Sequence, residues 1–158
     1  MKILLTGCKG QLGRTLLPLL SDHEVLGADL PDDDITDRER FTARVRSFRP
    51  DLILHPAAMT DVDGCARNPE AAYRANGMGT QNVALAAAEV DAELLTVSTN
   101  EVFDGRAERP YDEWDALNPI NPYGRSKAAA EWYTRSLLRR FYIVRTAWLY
   151  AVGGRNFP

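Results

Sequence analysis

Residues 1–13 read MKILLTGCKGQLG, and this stretch decides the fold of the chain. Its apolar run at residues 3–5 is typical of a central strand in a parallel sheet that is covered on both faces. Gly7, Gly10 and Gly13 follow at three-residue spacing, in a turn that leads into a helix. Such a turn lets a phosphate approach bare N–H groups at a helix N-terminus, where the helix dipole also favours an anion. Because the spacing differs from the commoner G-x-G-x-x-G fingerprint, an ordinary glycine-bearing turn is the alternative interpretation.

The length and composition narrow the class of protein. A chain of 158 residues has room for one domain with a substantial core. Its composition, 45% hydrophobic and 26% charged, is typical of a soluble globular protein. A net charge of -3 with interspersed signs provides no basic face for nucleic acid and no polybasic strip for a membrane. The N-terminus has no signal-peptide pattern, and no apolar run approaches the roughly 20 residues of a membrane span. We therefore expect a cytoplasmic protein that binds neither nucleic acid nor a membrane.

The candidate metal ligands are few and scattered. Cys8 and Cys65 lack the paired spacing of zinc or redox motifs, which indicates reduced thiols. Asp61 and Asp63 alternate with Val62, and two acids without further oxygen ligands do not predict a metal site. His55 follows an apolar run, so we expect it to pack in the core rather than to take part in catalysis. No metal is predicted.

Strands and helices alternate along the rest of the chain. Leu12, Leu16 and Leu20 have helical spacing, and Pro18 is expected to bend or shorten that helix. Further strands are predicted at 24–29, 52–54, 94–98 and 142–148. Further helices are predicted from an N-cap at Asp37 through Phe48, and at 79–90 and 123–140, with another helical stretch that begins at 70–73. This alternation predicts right-handed βαβ units and one α/β domain over 1–158, a Rossmann-type doubly wound parallel sheet. Because nothing after the fifth strand returns to close the face of the sheet, we expect the chain to be truncated.

Polar residues follow two of the predicted strands at the edge where open α/β sheets bind their ligands. Asp29 ends the second strand, where an acid can accept hydrogen bonds from an adenosine ribose and oppose the extra phosphate of NADP. A loop aspartate that caps a local N–H is the alternative. Thr99 lies at the end of the fourth strand, where its hydroxyl can hold a substrate oxygen.

Tyr123 and Lys127 are four residues apart, so their side chains share one face of a helix. An isolated tyrosine phenol has a pKa of about 10, which is too high for easy proton exchange near neutral pH. A nearby ammonium favours the phenolate, so we expect Lys127 to lower the pKa of Tyr123. A Y-x-x-x-K pair alone arises often by chance, and it gains weight only beside the glycine turn and Thr99.

In this combination the chain resembles the extended short-chain dehydrogenase/reductase family, and within it most closely the nucleotide-sugar 4-keto reductases. The family signature is a G-x-x-G-x-x-G turn, a strand-end Ser or Thr, and Tyr-x-x-x-Lys. The matching pieces are TGCKGQLG at 6–13, residues 34–37, residues 57–63, STNEVFDG at 98–105, YGRSK at 123–127, RTAWLY at 145–150 and GGRNF at 153–157. They span essentially the whole chain.

The resemblance implies an oxidoreductase that uses NAD(H) or NADP(H) to reduce the C4 keto group of a nucleotide-linked 4-keto-6-deoxysugar. It implies that Tyr123 donates the proton, that Lys127 binds the nicotinamide ribose, and that Thr99 orients the sugar oxygen. Asn100 and Trp148 would contact the substrate together with Thr99. Besides Tyr123 and Lys127, the implied cofactor contacts are Gly7, Gly10, Gln11, Leu12, Gly13, Asp29, Asp34, Ile35, Ala58, Met59, Thr60 and Val97. Because Asp29 and the acids at 32–34 oppose an added phosphate, we expect NADH to serve at least as well as NADPH.

Two departures from the family pattern keep alternatives open. Family members commonly read Ser-Thr-Asp-Tyr-Val-Phe, where this chain has Asn100 and Glu101 in place of the acid and the aromatic ring. Related 4,6-dehydratases read Thr-Asp-Glu there, and Asn100 lacks the carboxylic proton that dehydration requires. The second departure is length, because the resemblance implies a C-terminal substrate-binding region that builds most of the sugar pocket, and this chain stops before it. The alternatives are an epimerase or dehydratase of the same family, and a non-catalytic NAD(P)-binding regulatory subunit.

The expected partners are a nucleotide sugar and, as an option, a second copy of the chain in a homodimer.

Overall fold

A computed structural model describes residues 1–151 of the chain. The strands are β1 (Lys2–Thr6), β2 (Glu24–Ala28), β3 (Leu52–His55), β4 (Glu93–Thr99) and β5 (Phe141–Thr146). The helices are α1 (Gln11–Leu19), α2 (Arg38–Phe48), α3 (Val62–Arg67), α4 (Pro69–Ala72), α5 (Gly79–Val90) and α6 (Pro122–Leu137). A π-helical segment, Tyr73–Met78, joins α4 to α5, and a 3-10 turn, Asn100–Val102, follows β4. The GGRNF piece at 153–157 lies outside the described residues.

The five strands form one parallel sheet in the order β2-β1-β3-β4-β5. Helices α2, α5 and α6 pack side by side on one face, and a right-handed crossover puts α1 on the other face. The predicted Rossmann-type doubly wound sheet is confirmed. The strand order reverses between β1 and β3, and the glycine turn after β1 lies at this point, where α/β sheets form their ligand crevice.

The core forms where the central strands meet α2 and α5. Residues Ile3, Leu4 and Leu5 of β1 are at most 1% exposed, because this strand is covered on both faces. Leu4 packs with Phe41 of α2 and Val83 of α5. At the sheet edge the pattern differs, and the large apolar side chains of β5 stay partly exposed. The core positions the carboxyl ends of β1, β3 and β4 beside one another.

Several element boundaries differ from the predictions by a few residues. Helix α6 begins at Pro122 because the Asn121 side chain caps it, accepting from the Gly124 N–H at 2.7 Å. It ends at Leu137 rather than at residue 140. Strand β5 ends at Thr146, so Trp148 lies beyond the strand. Pro18 lies inside α1, which ends one residue later.

His55 is buried and binds two neighbouring elements, in keeping with its predicted structural role. Its Nδ1 lies 2.7 Å from the Thr6 hydroxyl of β1, and its Nε2 lies 3.0 Å from the Thr80 hydroxyl of α5. Burial and, to a smaller extent, the nearby Lys127 charge together lower the pKa of His55 to about 3. The ring is therefore neutral at physiological pH.

Other sequence predictions concern cysteines, metals and membranes. Cys8 and Cys65 are free thiols, as expected. Within residues 1–151, no three His, Cys, Asp or Glu side chains are arranged to hold a metal ion. In the same part of the chain, no helix combines the length and the apolar content needed to cross a membrane.

Candidate active site

The glycine turn between β1 and α1 is packed too closely for side chains. Gly7 has φ +61°, and a Cβ there would lie 2.8 Å from the Ala57 Cα. A Cβ on Gly13 would lie 2.6 Å from the Cys8 Cα and would collide with the Gly7 carbonyl oxygen. Gly10 caps α1 without a side chain, and the first turn of α1 carries no acid. The turn therefore exposes helix N–H groups that fit an anionic pyrophosphate.

One cleft of about 1110 Å³ opens at the carboxyl ends of the strands, beside this turn. It contains every site residue that the sequence and the resemblance single out. These are Gly7, Gly10, Gln11, Leu12, Gly13, Asp29, Asp34, Ile35, Ala58, Met59, Thr60, Val97, Thr99, Asn100, Tyr123, Lys127 and Trp148. The structure thus brings the whole set together, and their binding roles stay predictions.

Asp29 lies just beyond β2 at one end of the cleft. Its Oδ2 accepts from the Lys9 backbone N–H at 2.7 Å, and its Oδ1 accepts from the Leu30 backbone N–H at 2.8 Å. These two bonds fix the carboxylate against the turn. Asp29 therefore caps local backbone N–H groups, which was the alternative to a ribose-binding role. It also lines the cleft, as a ribose ligand would.

Tyr123 lies in the first turn of α6, with its phenol toward the cleft. Burial raises the pKa of Tyr123, an interaction with the Thr99 hydroxyl lowers it, and the charges of Cys65 and Glu101 raise it. The net shift is upward, so the expectation that Lys127 lowers this pKa is wrong for the protein alone. The reason is that burial of the ring outweighs the favourable groups. The phenol is fully protonated at neutral pH.

Lys127 is one turn further along α6 and is only 2% exposed. Burial lowers the pKa of Lys127 to about 8, and the negative charge of Glu131 works against this shift. The ammonium is therefore largely retained at neutral pH in spite of its burial. Its position in the cleft wall gives a fixed donor near Tyr123.

The end of β4 forms the wall of the cleft near Tyr123. Thr99 is 6% exposed, and its Oγ1 accepts from the Glu101 backbone N–H at 3.2 Å. Trp148 lies at the mouth of the cleft and is 83% exposed. The Gln11 side chain donates to the Leu149 carbonyl at 3.1 Å, which ties the segment after β5 to the start of α1.

Two supporting groups were missed by the sequence analysis. Asn76 is buried, accepts from the Met59 N–H at 2.7 Å, and donates to the Met59 carbonyl at 3.0 Å and to Ser126 Oγ at 2.9 Å. It holds the strand-end segment of β3 to α6, and an asparagine within a helical stretch was the available clue. The second group is Glu131 of α6, which accepts hydrogen bonds from Ser98 of β4 and from Arg145 of β5. No local pattern marks that group.

The parallel sheet with a glycine turn at its switch point, and a Tyr/Lys pair across the cleft, define a Rossmann-type α/β protein. The sequence matches the family described as RmlD substrate binding domain over residues 1–158. The chain belongs to this family, which confirms the resemblance inferred from the motifs.

Named relatives and solved structures agree with this family. The chain is 39% identical over 159 residues to a dTDP-4-dehydrorhamnose reductase of Aggregatibacter actinomycetemcomitans, covering 99% of the chain and 54% of the relative. The crystal structure of a dTDP-4-dehydrorhamnose reductase from Clostridium acetobutylicum matches with a TM-score of 0.96 and 42% identity, over 99% of this chain and 56% of that one. The crystal structure of a dTDP-4-dehydrorhamnose reductase from Bacillus anthracis in complex with NADP matches with a TM-score of 0.95 and 38% identity. The match covers 98% of this chain and 56% of that one. The chain thus spans about half the length of these proteins.

Proposed function

We propose that the full-length protein reduces the C4 keto group of a dTDP-linked 4-keto-6-deoxysugar with NADH or NADPH. The observation that carries the proposal is the convergence of Thr99, Tyr123 and Lys127 on the cleft that also contains the glycine turn. The relatives named dTDP-4-dehydrorhamnose reductase support the choice of substrate. The proposed chemistry needs a proton donor, a fixed cation and a dinucleotide cradle in one cleft.

The cleft fits a nicotinamide dinucleotide. The first turn of α1 offers uncapped N–H groups for the pyrophosphate, and the close packing at Gly7 and Gly13 keeps side chains away from it. Asp29 would accept from the adenosine ribose, and Asp34 and Ile35 would lie by the adenine. Ala58, Met59, Thr60 and Val97 would line the path toward Tyr123. When bound, the nicotinamide supplies the hydride.

Tyr123 supplies the proton in the proposed reaction. Its raised pKa keeps the phenol protonated at neutral pH, which is the state that a proton donor requires. The Thr99 hydroxyl would hold the same substrate oxygen and keep it within reach of the phenol. As negative charge develops on that oxygen, the Tyr123 proton passes to it.

Lys127 would also orient the dinucleotide. Its ammonium is held in the cleft wall by the surrounding core and donates up to three hydrogen bonds, which suits the two hydroxyls of a ribose. Because the side chain is 2% exposed, it has few alternative rotamers and little entropy to lose on binding.

The test compares Tyr123→Phe with Tyr142→Phe in the full-length protein. Tyr142 is 56% exposed on β5, so its loss should leave turnover unchanged. With dTDP-4-dehydrorhamnose and NADH, we expect Tyr123→Phe to lower kcat by about 10²- to 10⁴-fold. The Kd for NADH should stay within about twofold, since the ring remains. Unchanged turnover in Tyr123→Phe would show that another group donates the proton. Tight NADH binding without turnover of any keto sugar by the unmodified protein would favour the regulatory alternative.

A further inference from the structure

We propose that Glu101 binds the substrate sugar, with its carboxylate accepting a hydrogen bond from the hydroxyl next to the keto carbon. This inference rests on the proposed function, because it assumes a keto sugar between Thr99 and Tyr123. Glu101 lines the same cleft as those two residues. It replaces the aromatic residue that the family pattern has at this position, so the contact would be particular to this chain.

The backbone of Glu101 is fixed on both sides. Its N–H donates to Thr99 Oγ1 at 3.2 Å. Its carbonyl group packs against Gly124 of α6, where an added Cβ would lie 2.9 Å from the Glu101 carbonyl carbon. The 3-10 turn that contains Glu101 is therefore held between β4 and α6. The side chain starts from a well-defined position beside the proposed site of reaction.

The carboxylate is also fixed, and only one of its oxygens is used. Asn121 Nδ2 donates to Glu101 Oε2 at 2.7 Å, while Asn121 Oδ1 accepts from the Gly124 N–H as the cap of α6. Among residues 1–151, Glu101 forms no ion pair, and its Oε1 accepts no hydrogen bond. Glu101 therefore brings an oriented carboxylate, with Oε1 as its remaining acceptor, to the cleft wall, close enough for its charge to act on the Tyr123 phenol.

The chemistry of the sugar identifies the hydroxyl. In a 4-keto-6-deoxyhexopyranose, C3 and C5 flank the keto carbon. C5 carries the ring oxygen and the methyl group, so the C3 hydroxyl is the donor on a flanking carbon. Thr99 would hold the C4 oxygen, and Glu101, two residues further along the chain, would hold the C3 hydroxyl. A carboxylate that accepts from a hydroxyl forms a short and strong hydrogen bond.

Glu101→Gln is the sharpest variant, because it keeps the size of the side chain. Its single acceptor oxygen would be occupied by Asn121, which would turn the amide NH₂ toward the sugar. We expect the Kd of the full-length protein for dTDP-4-keto-6-deoxyhexose to rise about tenfold, and Glu101→Ala to raise it at least as much. The Kd for dTDP alone, and for the 3-deoxy analogue of the sugar nucleotide, should stay unchanged. Glu108→Gln, in the exposed loop outside the cleft, is the matched control.

The outcomes separate the two proposals. Equal losses for the hydroxylated and 3-deoxy sugars, or no loss at all, would overturn the role of Glu101 while leaving the reductase proposal intact if the unmodified protein turns over. Absence of sugar-nucleotide binding and turnover in the unmodified protein would instead overturn the proposed function, and the Glu101 contact with it.

Discussion

Glu131 and Arg145 form a bidentate ion pair beneath the cleft, with Arg145 Nε 2.9 Å from Oε1 and Arg145 Nη2 2.7 Å from Oε2. Ser98 Oγ also donates to Oε1, at 2.6 Å. The Glu131 and Arg145 side chains are 1% and 15% exposed. Hydrogen bonding to Glu131 raises the pKa of Arg145. One carboxylate thus joins α6, β4 and β5 directly behind Lys127 and Thr99.

Removing this carboxylate should destabilise the fold. Glu131→Gln leaves the largely buried Arg145 charge without its carboxylate partner, so we expect the free energy of unfolding to fall by about 3 kcal/mol. Urea denaturation measures this change, with the exposed Glu108→Gln as the control. Replacing both partners by Leu and Met should recover much of the loss, because an apolar pair leaves no unpaired charge. A Glu131→Gln protein as stable as the parent would contradict this account.

Lys127 should oppose stability while it supports binding. Its pKa of about 8 lies below the usual 10.5 because burial disfavours the charged form. At pH 7 the ammonium is charged in both the folded and unfolded states, so the folded state carries the cost of burying it. Lys127→Met should therefore raise Tm by roughly 3 to 6 °C. It should also weaken NADH binding by about tenfold. Calorimetry provides both values, and Arg139→Met, at an exposed position after α6, is the control. A lower Tm would mean that Lys127 holds the fold together.

Asp29 should set the choice of dinucleotide. Its carboxylate, held by two backbone N–H groups, faces the end of the cleft where an added ribose phosphate would lie. We expect NADH to be used at least as well as NADPH. Asp29→Asn should shift the ratio of kcat/KM values toward NADPH by on the order of tenfold, since one like charge is removed. Asp22→Asn, in the turn after α1, should leave the ratio unchanged. A strong NADPH preference in the unmodified protein would count against this role of Asp29.

His55 should make the protein sensitive to acid. Its pKa is about 3 in the folded state and about 6.5 when unfolded, so the unfolded state binds the proton more readily. Stability should therefore be complete above pH 6.5 and should decline as the pH falls toward 3. Thermal unfolding between pH 7 and 4 measures this decline. His55→Gln, which cannot take up a proton, should have a flatter profile, whereas the exposed His23→Gln should follow the unmodified protein. Parallel profiles for all three proteins would assign the acid sensitivity to other groups.

The fold was predictable because its determinants are local. The apolar run in β1, the glycine turn and the helical spacing of α5 each lie within a few residues, and α5 was predicted with its observed bounds of 79–90. The element ends were harder, since they depend on caps. Asn121 starts α6 before the first predicted residue, and the π-helical segment at Tyr73–Met78 has no simple periodic signature.

The cleft residues were predictable only through the combined motifs, and their environment was not predictable at all. The sequence alone does not show how deeply a side chain is buried. The Tyr123 pKa was therefore predicted to fall, whereas burial raises it. The pairing of Glu131 with Arg145 joins different elements across the sheet, and no spacing rule links them. Glu101 was seen as a departure from a pattern, but its hydrogen bond to Asn121 appears only once the chain is folded.

Under the proposed function, the protonated Tyr123 phenol favours the initial rate of ketone reduction over that of alcohol oxidation at neutral pH. Reduction of the ketone can begin with the proton already in place, whereas oxidation of the alcohol must first remove it to solvent. Under the proposed function, the reverse reaction should therefore gain speed in alkaline buffer, as the phenol ionises, and the forward reaction should slow over the same range.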